Sequence, residues 1–281
     1  MTTYACNLCG QTRSRTMGTF HGRALVECAA CGLRSYFPTP TDDELKALYA
    51  TQAYTSADYF AVEESRETNH ARQMRQAASL LANRLQGRGR VLEIGPGKGL
   101  FLDLCRGHGL DIDALELSEP LARELRQRTG LTVLETPLES SDIAPGSYAA
   151  IAAFDLFEHV QDPMGWLRAA WRALAPGGTL LFSTVSVQNL LDRLGRLFLR
   201  LGLPQPMAKL HPPYHLYYFT PAIIRRYLEA TGFRLESMVE ENYDVEKASS
   251  RLTEQLFLRG VYAVHDLFGH KTNLYITCAK P

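Results

Sequence analysis

The chain has no long apolar run, no net charge and few cysteines, and each lack excludes a class of protein. No stretch approaches the ~20 apolar residues that span a bilayer, and no secretory signal pattern opens the sequence. Thirty basic and thirty acidic residues cancel, so no global field attracts nucleic acid or anionic lipid. Six cysteines in 281 residues are too few for a disulfide scaffold. We therefore expect a globular, cytoplasmic protein.

Four of the six cysteines form two C-x-x-C pairs near the start of the sequence. The pairs Cys6/Cys9 and Cys28/Cys31 are 18 residues apart, and a glycine follows each pair. This spacing is typical of tetrahedral zinc sites, although two disulfides or unrelated thiols are alternatives. Four thiolates leave no open coordination position, so the ion would be structural. The sequence predicts a zinc ribbon over residues 1–40, in which metal replaces a hydrophobic core because the segment has little to bury.

Strand-like and helix-like segments alternate from residue 90 to the end of the chain. Such alternation predicts an α/β fold, with a doubly wound parallel sheet and helices on both faces. Residues 41–89 are predicted to form a helical linker or cap ahead of a domain over residues 90–281. The seven predicted strands are Arg90–Ile94, Asp111–Leu117, Thr132–Leu134, Tyr148–Phe154, Thr179–Val185, Phe233–Val239 and Leu274–Cys278.

The segment 186–220 is too long for a simple connection between elements. Within it, Leu190, Leu194, Leu197 and Leu201 share one face of a predicted helix, and three arginines share the opposite face. Three interpretations are open: a helix packed on the domain, a lid over the substrate pocket, or a contact with a membrane surface or a second copy in a homodimer.

A glycine-rich turn follows the first predicted strand and reads EIGPGKG over residues 93–99. Its spacing matches neither the phosphate-binding P-loop nor the dinucleotide turn. The pattern E-x-G-x-G-x-G resembles motif I of the class I S-adenosylmethionine-dependent methyltransferases, and the resemblance extends from about residue 41 to the C-terminus. It implies an S-adenosylmethionine site in which Gly95, Gly97 and Gly99 line the cofactor and Glu93 lies beneath its methionyl group.

Further segments match the same family in the expected order. Glu116 ends the second predicted strand, where an acidic residue accepts hydrogen bonds from both ribose hydroxyls; a solvated carboxylate is the alternative. The runs LFEHVQDP at 156–163 and LAPGG at 174–178 are similar to the family's LEHV-x-DP and LkPGG signatures. The resemblance also implies that the seventh strand is antiparallel. The remaining candidates for cofactor binding are Leu117, Leu138, Glu139, Phe154 and Asp155.

Two histidines, His159 and His215, are candidate catalytic residues. The acceptor must be aligned with the activated methyl group, and an oxygen nucleophile must lose its proton. His159 is expected to share a helical face with Asp155 and Glu158. That grouping is similar to one in ubiquinone-pathway O-methyltransferases, where it has been linked to a divalent cation; alternatively it only ties down a loop. His215 lies in a run similar to acceptor-side segments of small-molecule members, or is structural.

These patterns favour methylation of a small molecule, a sugar or a secondary metabolite, most simply at oxygen and by in-line transfer. One alternative is an RNA methyltransferase whose ribbon contacts RNA, but the balanced charge and the lack of a basic stripe with aromatics argue against it. Another is a non-catalytic protein that has kept the cofactor fold. The retained glutamates and glycines argue against that interpretation.

Overall fold

The structure is a computed structural model and describes residues 3–41, 43–45, 68–245 and 251–281. Of the helical linker predicted over residues 41–89, residues 42 and 46–67 lie outside the described residues. The strands are β1 (Ser14–Phe20), β2 (Arg23–Cys28), β3 (Arg34–Phe37), β4 (Arg90–Ile94), β5 (Asp111–Leu115), β6 (Val133–Leu134), β7 (Tyr148–Ala153), β8 (Leu174–Val185), β9 (Tyr217–Tyr218), β10 (Arg234–Glu241) and β11 (Asn273–Ala279). The helices are α1 (Asn69–Leu85), α2 (Leu100–Gly107), α3 (Glu119–Thr129), α4 (Pro163–Ala173), α5 (Leu190–Arg200), α6 (Gln205–Leu210), α7 (Pro221–Thr231) and α8 (Leu252–Phe268).

The larger sheet has seven strands in the order β10-β11-β8-β7-β4-β5-β6. Strand β11 is antiparallel to both of its neighbours, and the other adjacent pairs are parallel. Apolar side chains of α1, α2 and α3 pack on one face of this sheet, and those of α4 and α7 pack on the other. The predicted Rossmann-like fold with an antiparallel seventh strand is therefore confirmed.

Strands β1, β2 and β3 form a second, antiparallel sheet together with β9, in the order β1-β2-β3-β9. Its apolar residues are buried against the larger domain: Val26 and Leu33 belong to the same buried cluster as Trp166 and Phe219. The expectation that this segment has little to bury is therefore wrong. The sequence does not reveal this core, because the packing partners of Val26 and Leu33 lie more than a hundred residues away along the chain.

The segment 186–220 is attached to the N-terminal sheet by strand pairing and by a buried ion pair, among other contacts. Strand β9 pairs with β3, and the guanidinium of Arg34 lies 2.7 Å from the carboxylate of Asp192 in α5. Both side chains of this ion pair are almost completely buried. The assignment of the segment as a lid stays a prediction.

The leucine face predicted for this segment is half-buried at one end and exposed at the other. Leu190 and Leu194 are half-buried, and Leu190 packs against a buried cluster. In α5 the buried residues are Leu191, Asp192 and Gly195, whereas Leu197 and Leu201 are 50 % and 66 % exposed. The three interpretations of this segment stay predictions. No helix in the described part of the chain is long and apolar enough to cross a membrane.

Candidate functional site

The glycine turn lies at the carboxyl edge of the larger sheet, between β4 and α2. Gly95, Gly97 and Gly99 all adopt left-handed backbone conformations, with φ of 68°, 54° and 84°. A Cβ atom on Gly95 would lie 2.7 Å from a methyl carbon of Leu156. The backbone conformation therefore favours glycine at all three positions, and a Cβ at Gly95 would also displace the Leu156 side chain. A turn of this kind allows a ligand to approach the main chain closely.

Glu116 follows β5 and lies beside the glycine turn. The strands β4 and β5 are adjacent and parallel, and the N–H of Gly95 donates to the carbonyl oxygen of Leu115 at 2.9 Å. The Glu116 carboxylate is 8 % exposed and accepts a hydrogen bond from the N–H of Ser118 at 2.8 Å. Burial raises the pKa of Glu116, and the N–H groups of Ser118 and Gly97 oppose that shift. The Glu116 carboxylate is thus a hydrogen-bond acceptor with a fixed position beside the glycine turn.

The other predicted cofactor residues surround the same edge in different environments. Glu93 is 2 % exposed within β4, and Leu138 is 2 % exposed at the start of a short 3-10 helix, Leu138–Ser140. Leu117 and Glu139 are exposed. Their assignment to cofactor binding stays a prediction.

Asp155 follows β7 and has a left-handed backbone with φ of 47°. Its N–H donates to Ser183 Oγ at 2.8 Å, and Ser183 Oγ donates to its Oδ1 at 2.7 Å. Its Oδ2 lies 3.5 Å from Nδ1 of His70 in α1. A left-handed conformation outside glycine persists only where surrounding contacts impose it. Sequence reasoning missed His70 and Ser183, because each meets Asp155 only through tertiary packing.

Glu158, His159 and His215 form a cluster in which the candidate ligand atoms all lie within 4.8 Å of one another. Residues 157–159 form a turn and not a helix, so the expected helical face with Asp155 is wrong. The turn directs Asp155 towards His70 and Ser183, and His215 joins the cluster from the segment before β9. The sequence could not reveal this pairing, because His159 and His215 are far apart along the chain.

Hydrogen bonds fix the cluster on both sides. Thr184 Oγ1 donates to Glu158 Oε2 at 2.9 Å, and the N–H of Leu216 donates to the carbonyl oxygen of Glu158 at 2.7 Å. Nδ1 of His159 lies 2.9 Å from the carbonyl oxygen of Tyr214. Since a carbonyl only accepts, Nδ1 of His159 carries the proton.

Burial controls the protonation of all three groups. Burial, and then the charge of Asp155, raise the pKa of Glu158 to about 8. Burial lowers the pKa of His159 to about 4 and holds the pKa of His215 well below its usual value. Both imidazoles are therefore neutral near pH 7. Neutral imidazole accepts a proton or binds a metal ion.

His211 lies outside this cluster and packs between aromatic rings. It is fully buried, its ring centroid is 4.3 Å from that of Tyr218, and its Nδ1 donates to the carbonyl oxygen of Met207 at 3.0 Å. Nε2 has no hydrogen-bond partner among the described residues. Burial lowers the pKa of His211 to about 4, which indicates a structural residue whose protonation opposes folding.

We expect His211→Asn to reduce the loss in free energy of unfolding that the protein suffers as the pH falls below 6.5. The unfolded chain protonates this histidine below its ordinary pKa of about 6.5, and the folded chain does so only near 4. Stability is therefore lost as pH falls between these values, by about 2 kcal/mol at pH 5. Urea unfolding at pH 7.5 and 5.0 measures this loss, which should shrink by that amount in the variant. The exposed His108→Asn is the control, and an unchanged loss in His211→Asn would contradict the assignment.

The four sulfurs of the C-x-x-C pairs converge at one end of the N-terminal sheet. Cys6 Sγ lies 3.5 Å from Cys31 Sγ, Cys9 Sγ lies 3.6 Å from Cys28 Sγ, and all four lie within 4.8 Å of one another. Zinc–sulfur bonds of about 2.3 Å in a tetrahedron place sulfurs about 3.8 Å apart. A disulfide would require about 2.05 Å. The cluster is compatible with zinc and has no disulfide.

Most of the larger domain is similar in sequence to known proteins. Residues 65–238 match the model of a family described as a methyltransferase domain. The ubiquinone biosynthesis O-methyltransferase of Methylococcus capsulatus is 32 % identical over 108 residues, which are 36 % of this chain and 45 % of that protein. The enzyme of the same description from Xanthomonas euvesicatoria is 29 % identical over 176 residues, 59 % of this chain and 71 % of that protein. The chain thus spans less than half of the length of the first of these relatives.

Solved structures share the fold. An S-adenosylmethionine-dependent methyltransferase from Archaeoglobus fulgidus has a TM-score of 0.53 at 17 % identity, covering 79 % of this chain and 99 % of that one. At this identity the likeness shows the fold alone.

Proposed function

The chain belongs to the class I S-adenosylmethionine-dependent methyltransferases, and on that premise we propose that it methylates a small-molecule acceptor. The observation that carries the proposal is the glycine turn with the fixed carboxylate of Glu116 beside it at the carboxyl edge of the sheet. Ligands of open α/β sheets bind at this edge. The bound cofactor would supply a methyl group activated on a sulfonium.

We assign the cofactor to this edge from the chemistry of its residues. Glu116 would accept hydrogen bonds from the ribose hydroxyls, since its carboxylate is held in place by the N–H of Ser118. The main chain of Gly95, Gly97 and Gly99 would line the cofactor. Phe154 and Asp155, at the end of the neighbouring strand β7, would contact its methionyl part.

We assign the acceptor side to the cluster of Glu158, His159 and His215. An acceptor hydroxyl must lose its proton as the methyl group arrives, and a neutral imidazole is able to take it. Burial lowers the pKa of both imidazoles and so weakens them as bases in the empty site. Two such imidazoles are present, and His215 belongs to the segment that resembles acceptor-side segments. The description of the relatives as O-methyltransferases supports an oxygen acceptor. A sugar or a secondary metabolite is the class of acceptor that we propose.

A divalent cation at the same cluster is a second candidate, favoured by the convergence of one carboxylate and two imidazoles within 4.8 Å. Imidazole and carboxylate ligands suit zinc, manganese or iron. In this role the cluster would orient the acceptor oxygen, and added metal would raise the rate. We also propose that the four N-terminal cysteines hold a structural zinc ion.

Replacing Glu116 with alanine should weaken S-adenosylmethionine binding by roughly 1–3 kcal/mol, because the ribose hydroxyls lose their acceptor. Titration calorimetry measures this loss directly. Glu124→Ala, the same change at an exposed site on α3, is the matched control and should bind like the wild type. An affinity unchanged by Glu116→Ala would defeat the assignment of this residue.

A further inference from the structure

The N-terminal module, residues 3–40 with the four cysteines, contacts both segments that carry the cluster of Glu158, His159 and His215. We propose that Asn7, which lies between the first two cysteines, is a positioning residue that holds the loop of Glu158 and His159. This inference rests on the proposed function, because it concerns the acceptor side of that site. It gives the N-terminal module a role beyond its own folding.

The side chain of Asn7 makes three hydrogen bonds to the larger domain. Its Nδ2 donates to Asp162 Oδ1 at 2.7 Å. Its Oδ1 accepts from the N–H of Met164 at 3.1 Å and from the hydroxyl of Tyr227 at 2.9 Å. Asp162 is the N-cap of α4, and it also accepts from the N–H of Gly165 at 2.9 Å. One amide therefore fixes the start of α4 and the end of the loop before it.

Only two residues separate His159 from the N-cap Asp162, so the position of this cap limits where the loop can lie. A second contact holds the intervening residue Gln161, whose Nε2 donates to the carbonyl oxygen of Pro40 at 3.1 Å. The hydroxyl of Tyr217, in β9, donates to the carbonyl oxygen of Gln161 at 3.0 Å. The loop is thus held by the N-terminal segment and by β9.

The segment of His215 is attached to the same module. Strand β9 pairs with β3, and the N–H of Tyr36 donates to the carbonyl oxygen of Leu216 at 3.1 Å. The N–H of Leu216 donates in turn to the carbonyl oxygen of Glu158 at 2.7 Å. A chain of backbone hydrogen bonds therefore runs from the N-terminal sheet through the neighbour of His215 to Glu158. The relative position of the two histidines depends on this module.

The side chains of Asn7 and Asp162 allow a test by exchange. Asn7→Asp places two carboxylates against each other and removes the donor, so the loop should loosen. Asp162→Asn keeps an acceptor for Asn7 and an N-cap for α4, so it should behave like the wild type. The double variant Asn7→Asp/Asp162→Asn again pairs one donor with one acceptor, so it should recover the wild-type loop in part. Recovery is incomplete because Oδ1 of Asp162 accepts from both Asn7 and the N–H of Gly165, and an amide nitrogen in its place cannot accept from that N–H.

Three measurements on the full chain separate positioning from general damage. Hydrogen exchange of the peptide 155–163 should be at least tenfold faster in Asn7→Asp, and clearly slower again in the double variant than in Asn7→Asp. Nitrogen-15 NMR should show the Nδ1-protonated form of His159 in the wild type, a mixture of both neutral forms in Asn7→Asp, and recovery in the double variant. Zinc content and the affinity for S-adenosylhomocysteine should stay at wild-type values throughout.

The inference is overturned if Asn7→Asp leaves the exchange of the loop and the His159 signal unchanged. It is also overturned if the double variant, with its zinc retained, fails to restore them. If Asn7→Asp loses zinc, Tyr227→Phe decides instead, because it removes one bond to Asn7 without changing the segment between the first two cysteines, and it should give smaller changes of the same kind. A wild-type chain that does not bind S-adenosylhomocysteine would contradict the proposed function, whereas the exchange data would still decide the role of Asn7.

Discussion

Replacing Cys28 with serine is expected to release zinc and to destabilise the whole protein, well beyond its first forty residues. A structural zinc site of this type contributes on the order of 10–16 kcal/mol in small zinc-binding peptides. Cys28 is 3 % exposed and belongs to the same buried cluster as Trp166. Loss of the metal therefore opens one side of the main core. Metal analysis per chain and thermal unfolding measure the two effects.

The matched control for this experiment is Cys105→Ser. Cys105 is also completely buried, but it lies in α2 on the opposite face of the sheet and outside the four-cysteine cluster. Cys105→Ser also replaces a buried sulfur with oxygen, so this variant should be less stable than the wild type but should keep its zinc. One zinc ion per chain in Cys28→Ser would show that the tetrathiolate assignment is wrong.

Replacing His215 with asparagine should lower the rate of methyl transfer by roughly 10²–10⁴-fold, the usual contribution of a general base. The cofactor edge that we propose is formed by β4, β5 and β7, so the affinity for S-adenosylhomocysteine should not change. The assay follows a labelled methyl group from the donor to a hydroxylated small molecule that the wild type methylates. The exposed His108→Asn serves as the control.

Added metal distinguishes the two roles proposed for the cluster. A proton acceptor at His215 predicts a wild-type rate that does not respond to added manganese, whereas a cation site predicts a rise that His215→Asn abolishes. A variant that retains the wild-type rate would remove His215 from both roles.

The spacing of residues along the sequence was enough to predict the features that are formed by residues close together in the chain. The glycines of the turn follow directly after β4, and Glu116 follows directly after β5, so parallel pairing brings them to one edge wherever the rest of the chain lies. The same holds for the C-x-x-C pairs, because each tight turn supplies two sulfurs at once.

The other parts depend on contacts that no local pattern records. His215 reaches His159 through the pairing of β9, a strand of two residues, with β3 and through the bond from Leu216 to Glu158. Asp155 leaves the predicted helical face because Ser183 and His70 hold it in a left-handed conformation. Likewise, the bonds from Asn7 to α4 join residues more than 150 positions apart.

A crystal of the protein grown with S-adenosylhomocysteine tests the central assignment most directly. The account predicts the ligand over Gly95–Gly99, with both ribose hydroxyls within about 3.0 Å of the Glu116 carboxylate oxygens. A ligand bound elsewhere, or a vacant sheet edge at saturating ligand, would contradict it.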